Sequence, residues 1–406
     1  MMTGAGLISE LLVDLGIKHI FGIPGVYVLP LFVELEKAGI QIILTRHEQG
    51  AAFMADGYAR KNGLGCCIST AGPGALNLIT GIAASYMDSI PVIAITGQAP
   101  LAGFGKYAIQ EGTGIGRTPD IVKAFEACTK FSKRIMRIND IKNDLETAVH
   151  IAKQDRKGPV HLDIPCNLLT EEMEKNSQSL CHMSFPPEPI YEEIGDDCFD
   201  RVVEEISKAK SPVFLVGAGA TSEKSIGLVI ELAKLLNIPI VCTLRAKGFF
   251  RSSDPLFCGV VGCLGQHDAN KILFTESDLI LALGLTFSYL TTQGWAKSIV
   301  GKKIIRVDID KEELTRNCLP IIAVHNKVEA FLEGLLKYTT RKNPVLNGTQ
   351  RKLMVKTSNE CFIQESDRQQ MVNPIETMKI IHKYITENTT IVTDIGQNAY
   401  WAEQYL

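Results

Sequence analysis

No run of apolar residues in the 406-residue sequence is long enough to span a bilayer. The longest, SDLILALGL and IPVIAIT, have the length of a β-strand. Charge of one sign is equally scarce. The 42 Lys and Arg nearly cancel the 45 Asp and Glu, leaving a net charge of −3 with no basic block. No field is therefore available for a nucleic acid or an anionic membrane surface, and neither partner is expected. The opening MMTGAGLISELL lacks a basic segment followed by a long apolar one, so it does not read as a secretory signal. The eleven cysteines include no C-x-x-C pair, and Cys258 and Cys263 have no second pair to complete a zinc site. They read as small buried hydrophobes in a reducing compartment, and a cytoplasmic location is expected.

What the sequence does contain is an ordinary globular composition, 46% hydrophobic and 21% charged, long enough for two or three domains. Strand and helix signals alternate over residues 1–170. IKHIFG, QIILTR, GCCISTAG, IPVIAITG and GPVHLDIP read as strands, with helices between them such as VYVLPLFVELEKAG and PGALNLITGIAASYMDS. Continuous apolar strands separated by helices predict a parallel sheet covered on both faces, a doubly wound α/β domain. Residues 171–195 are polar, contain Pro186, Pro187 and Pro189, and read as a linker. A second α/β domain, Rossmann-like, is expected over 196–340 and a second linker over 341–372. Residues 373–406 then begin a third unit with a helix and one strand, TIVTD, too little for a sheet or core of its own.

The carboxyl ends of the first domain's predicted strands carry GIPG (22–25), TRHE (45–48), TAGPG (70–74) and TGQ (96–98). Ligands of doubly wound sheets sit beyond these ends. Glycines there let backbone approach a ligand closely, and Pro24 and Pro73 fix the turns. Glu48 heads the helix of RHEQGAAFMADGYAR, followed by the small residues Gly50, Ala51, Ala52, Ala55, Gly57 and Ala59, which would let neighbouring backbone come close. A carboxylate at such a junction is either a helix-terminal charge favoured by the dipole or a working group.

These stretches together resemble the pyrimidine-binding domain of thiamine diphosphate enzymes, with the acetolactate synthase branch nearest: RHEQGAAFMADGYAR, GIPG, STAGPGALN and AIQE (108–111). The resemblance implies that Glu48 hydrogen-bonds the cofactor's aminopyrimidine and favours the tautomer that takes the thiazolium proton. It implies that Pro24, Gly25 and Val26 contact the pyrimidine, that Gly72, Pro73 and Asn77 line the site, and that Gln110 faces the reacting end. The substrates implied are 2-keto acids such as pyruvate, decarboxylated and joined to a second keto acid in branched-chain amino acid biosynthesis. A related decarboxylase or carboligase is the alternative within enzymes, and a fragment without activity of its own the alternative outside them. A homodimer or homotetramer is implied, with a regulatory subunit as a further partner of this branch.

Departures from the family pattern are specific. The lysine–histidine pair usual before the next strand is missing, with Ala124–Phe125 and Cys128–Thr129 in that neighbourhood. GAGATS (217–222) keeps two fingerprint glycines but has Ser222 at the third place, which argues against an NAD site. FAD and an unoccupied domain are the two alternatives for the centre, with Gly217, Gly219, Thr243, Leu244, Lys247 and VDID (307–310) at flavin-like positions. TDIGQNAYWAEQYL resembles the entry to a diphosphate-binding domain, with Gln397 and Asn398 toward the phosphates. The Mg2+ ligands of that domain are expected beyond residue 406, and the chain reads as C-terminally truncated.

Overall fold

The structure, a computed structural model, describes residues 1–174, 183–185, 191–252, 254–342, 372–386, 388–394 and 396–406. They form two compact units, Met1–Pro189 and Ile190–Leu406. The expected linkers at 171–195 and 341–372 lie largely outside the described residues.

In the first unit, β1 (Met2–Thr3) pairs antiparallel with β8 (Glu172–Met173). The strands β2 (His19–Gly22), β3 (Gln41–Leu44), β4 (Gly65–Ser69), β5 (Val92–Gln98), β6 (Phe131–Arg134) and β7 (Val160–Pro165) form the main sheet. Its order is β3-β2-β4-β5-β7-β6, and every pairing is parallel. β4, β5 and β7 are buried along their whole length, as strands covered on both faces must be. The period of two sends Cys66 into one apolar cluster and its neighbour Cys67 into the other. All nine described cysteines are free, and burial pushes the Cys67 thiol up to about 12, which keeps it unreactive.

The second unit repeats the plan with β9 (Pro212–Val216), β10 (Ile240–Cys242), β11 (Phe257–Val260), β12 (Leu279–Leu283), β13 (Lys303–Asp308) and β14 (Ile322–His325). These six parallel strands are ordered β11-β10-β9-β12-β13-β14. Both units are therefore doubly wound α/β, as the alternating pattern predicts. The edge strands β6, β11 and β14 have no counterpart in the sequence reading. β6 reads FSKR, which shows no apolar run, and β14 is only four residues, IAVH, with alternate residues exposed.

Two expectations need correction. Residues 390–394, expected as the strand TIVTD, are exposed coil. A strand persists only where a neighbour takes its backbone groups, and none is placed there among the described residues. Of the small residues after Glu48, the alanines 51, 52, 55 and 59 are buried, but nothing lies within 4 Å of where a Cβ on Gly50 or Gly57 would sit. Close packing is thus confined to the alanine face.

A polar chain runs through the first core. Ser132 Oγ lies 2.8 Å from His161 Nδ1, His161 Nε2 lies 2.9 Å from Thr96 Oγ1, and Thr96 donates to Asp163 Oδ1 at 2.8 Å. Phe125 stacks on the imidazole at 3.8 Å. Burial, then the Arg134 charge, push His161 down to about 3 from the ordinary 6.5. The unfolded chain takes up that proton below about pH 6.5 and the folded chain does not. Stability is therefore lost as the pH falls from 6.5 toward 3, by up to about 1.4 kcal/mol per pH unit. Urea unfolding between pH 7 and 5 is expected to show this slope, and His161→Gln to flatten it. An equal slope in the variant contradicts the assignment.

Candidate functional site

The order of the first sheet reverses between β2 and β4, whose carboxyl ends release the chain into residues 23–26 and 70–74. A crevice for a ligand lies at such a switch point. Glu48 is brought to it by the helix Glu48–Asn62. His47 caps that helix, its Nδ1 accepting from the Gln49 N–H at 3.2 Å, and the Thr45 hydroxyl donates to the His47 carbonyl at 3.0 Å. At the far end Gly63 (φ 83°) closes the helix in the left-handed conformation, after Arg60 and Lys61. Acid at the start and base at the end both suit the macrodipole.

The Glu48 side chain is half-buried, and its Oε2 accepts a hydrogen bond from Asn77 Nδ2 at 3.0 Å. Its Oε1 faces Gly74. A Cβ on Gly74 would stand 3.1 Å from that oxygen, 2.8 Å from Ser69 Oγ and 2.8 Å from Thr70 Cγ2. Gly25 lies as close on the other side, since a Cβ there would meet Thr70 Cβ at 2.5 Å. Tyr27 then donates to the Ile109 carbonyl at 2.7 Å, and Gly72 (φ 56°) lies against Gln110, whose carbonyl would be 2.9 Å from a Cβ. Contacts thus run from Glu48 through residues 74, 70, 25, 27, 109 and 110 back to Gly72, forming a closed ring. Two buried hydroxyl oxygens on it, Ser69 Oγ and Thr70 Oγ1, have no hydrogen-bond partner among the described residues. Leaving a buried hydroxyl unsatisfied costs about 1–3 kcal/mol, so these two stand out among the polar groups beside the crevice.

Pro24 and Pro73 are exposed beside these turns, and Val26 is 83% exposed although apolar. Gln110 is exposed and left-handed (φ 56°), as is Tyr107 (φ 57°). Two non-glycine residues in this region within one loop are strained, and strain of this kind collects at functional sites. The loop is held by Glu111, whose carboxylate accepts from Gly105 N (2.6 Å), Ala108 N (3.2 Å) and Thr113 Oγ1 (2.6 Å). Burial works to raise the Glu111 pKa, but the bonds from Thr113 and from the backbone outweigh it and hold the group below its ordinary value. Ser69, Thr70, Tyr27 and Glu111 were not singled out as site residues. Each lies inside or beside a motif that was quoted, but its role depends on which turn packs against which.

Phe125, in the place of the family's missing pair, is wholly buried on His161. Gln397 and Asn398 belong to the second unit, exposed at the start of the helix Gln397–Tyr405, where Asn398 Nδ2 donates to the Asp394 carbonyl at 3.3 Å. That unit's own switch point lies between β9 and β12. It is bonded shut, with Gly217 N–H donating to Leu283 O and Gly219 N–H to Gly284 O, both at 2.9 Å. Lys247 Nζ donates to Ala402 O at 3.3 Å. Among the described residues no group of three or more His, Cys, Asp or Glu is placed to hold a metal, and no helix is long and apolar enough to cross a membrane.

Comparison with known proteins agrees with this geometry. Residues 2–116 match the family model described as thiamine pyrophosphate enzyme, N-terminal TPP binding domain, and residues 199–335 match the thiamine pyrophosphate enzyme central domain. The acetolactate synthase large subunit of Lactococcus lactis is 33% identical over 99% of this chain and 68% of its own length. That of the red alga Cyanidium caldarium is 35% identical over 100% and 69%. The probable acetolactate synthase large subunit of Methanococcus aeolicus is 32% identical over 100% and 69%. The chain spans about two thirds of these relatives, and with its sheet, its crevice and its matched domains it belongs to the thiamine pyrophosphate enzyme family.

Proposed function

We propose that this chain is the pyrimidine-holding part of an acetolactate synthase-like enzyme, which decarboxylates pyruvate and joins the two-carbon fragment to a second 2-keto acid. The role in branched-chain amino acid biosynthesis and the assembly into dimers follow the same resemblance. The observation that carries the proposal is the Glu48 carboxylate, with Oε2 tied to Asn77 and Oε1 directed at a glycine-floored ring.

The ring suits a flat aminopyrimidine. Gly72 and Gly74 let backbone lie close beneath it, the hydroxyls of Ser69 and Thr70 are buried behind that backbone, and exposed Val26 offers an apolar surface to one ring face. When bound, thiamine diphosphate supplies the electron sink that lets a 2-keto acid lose carbon dioxide. Glu48 would present Oε1 to the ring nitrogen N1′ as its hydrogen-bond partner, and Asn77 fixes the rotamer that presents it. Pro24 and Gly25 shape the wall opposite, and Gln110 stands on the rim toward the substrate. Gln397 and Asn398 are assigned to the diphosphate. Flavin is left out of the proposed chemistry, because the backbone donors of Gly217 and Gly219 and the Lys247 amine are engaged within the chain. A second reading is a dimerising polypeptide without activity of its own, and hydrogen exchange at C2 of the cofactor separates the two.

Glu48→Gln is expected to abolish catalysed hydrogen exchange at C2 of thiamine diphosphate, followed by NMR, with the unfolding midpoint unchanged. Exchange at the wild-type rate in the variant contradicts the role of Glu48, and no exchange in the wild type supports the second reading. Gly74→Ala places a methyl against Ser69, Thr70 and Glu48. It is expected to weaken thiamine diphosphate binding by about tenfold or more, roughly 1.4 kcal/mol, in calorimetric titration. Unchanged affinity contradicts the assignment of the floor.

A further inference from the structure

The loop that carries Gln110 is anchored from beneath by side chains of three adjacent strands. Asp163 lies on β7, between β5 and β6, and pairs in register with Thr96 on one side and Arg134 on the other. Its carboxylate is fully buried and accepts from Arg134 Nε at 2.6 Å, Gln98 Nε2 at 3.0 Å and Thr96 Oγ1 at 2.8 Å. Arg134 and Gln98 each have one arm left over, and both reach the same residue. Arg134 Nη2 donates to the Gly112 carbonyl at 2.7 Å, and Gln98 Oε1 accepts the Gly112 N–H at 2.9 Å. Arg134 also lies over the Phe104 ring, 5.4 Å from its centre, at the loop's other limb. Gly112 is pressed onto this support, since a Cβ there would meet Ile121 Cγ1 at 2.4 Å. One residue further back, Glu111 turns its three hydrogen bonds toward the outer part of the loop, and Gln110 follows in its left-handed conformation.

A buried ion pair is weak evidence for stability, because desolvating both charges offsets much of their attraction. This one does something a hydrophobic pair of the same volume could not do, which is to grip both polar groups of one peptide. We propose that Asp163, Arg134 and Gln98 are positioning residues for Gln110, clamping Gly112 so that the strained turn at residues 107–110 is held at the rim of the cofactor crevice. This rests on the reading that Gln110 faces that crevice. The residues act through Glu111 and Gly112 and touch neither cofactor nor substrate. The guanidinium is needed for its fork, with one arm on Asp163 and the other on Gly112.

Charge and fork are separable by experiment. Amide hydrogen exchange of the full chain, without cofactor, reads the loop directly. Arg134→Lys keeps the charge opposite Asp163 but cannot span both acceptors. It is expected to raise exchange at residues 104–113 about tenfold or more, with protection of β4, β5 and the Glu48–Asn62 helix retained. Arg134→Gln is expected to loosen the loop and also lower the unfolding midpoint, because Asp163 loses its counter-charge. Gln98→Glu, which turns a donor toward Asp163 into a repelling acceptor, is expected to loosen the loop as well. The clamp is overturned if Arg134→Lys restores wild-type protection of 104–113, which would make the arginine a counter-charge only. It is also overturned if exchange rises uniformly over the unit. Glu48→Gln serves as the control, since it leaves loop exchange unaltered whether or not the cofactor assignment stands, so the two readings fail independently.

Discussion

One hydrogen bond, from the Asn77 amide to the Glu48 carboxylate, decides how the first unit presents its chemistry. A carboxylate at a helix start is ordinarily free to choose among rotamers and to turn toward water. Here one oxygen is spoken for, and the other is left facing a floor of glycine and two unpaired hydroxyls. The bond exists because the helices that follow β3 and β4, the two strands on either side of β2, are held at a fixed separation. The alanine face of Glu48–Asn62 allows this close approach, and clamps such as Ser85 Oγ to Asp56 Oδ2 at 2.9 Å keep it.

The two sheets of this chain share an architecture, six parallel strands covered by helices, but differ in strand order and in how the turns at their switch points meet. In the second, the turns after β9 and β12 bond directly to each other, through the Gly217 and Gly219 N–H groups. In the first, the turns after β2 and β4 approach through Gly25 and Thr70 and leave hydroxyls unpaired. A common architecture therefore does not by itself assign a ligand to each crevice. The rim loop adds a third element, strained at Tyr107 and Gln110 and gripped from below by charged side chains of three strands.

Much of this was legible in the sequence, and the limits have physical causes. β4, β5 and β7 were readable because strands buried on both faces are mostly apolar, the few polar residues on them (Ser69, Thr96, Gln98, His161, Asp163) interrupting the pattern without hiding it. β6 was not, because an edge strand can carry Lys133 and Arg134, and those polar residues hid it. TIVTD has strand composition but no strand neighbour among the described residues, and composition alone does not supply one. At the site, Glu48 and Asn77 stood in recognisable motifs, whereas the parts of Thr70, Glu111 and Arg134 depend on contacts between turns far apart in the chain. The glycines at 50 and 57 looked like packing positions and proved open, since spacing reports which face a residue shares but not what lies opposite.

The central claim is that the Glu48 side chain engages the ring nitrogen of a bound aminopyrimidine. The most direct measurement is the 15N resonance of thiamine diphosphate labelled at N1′, recorded free, with the wild-type chain and with the Glu48→Gln chain. A large shift on binding the wild type that disappears in the variant is the predicted result. The same resonance position in both complexes would contradict the account.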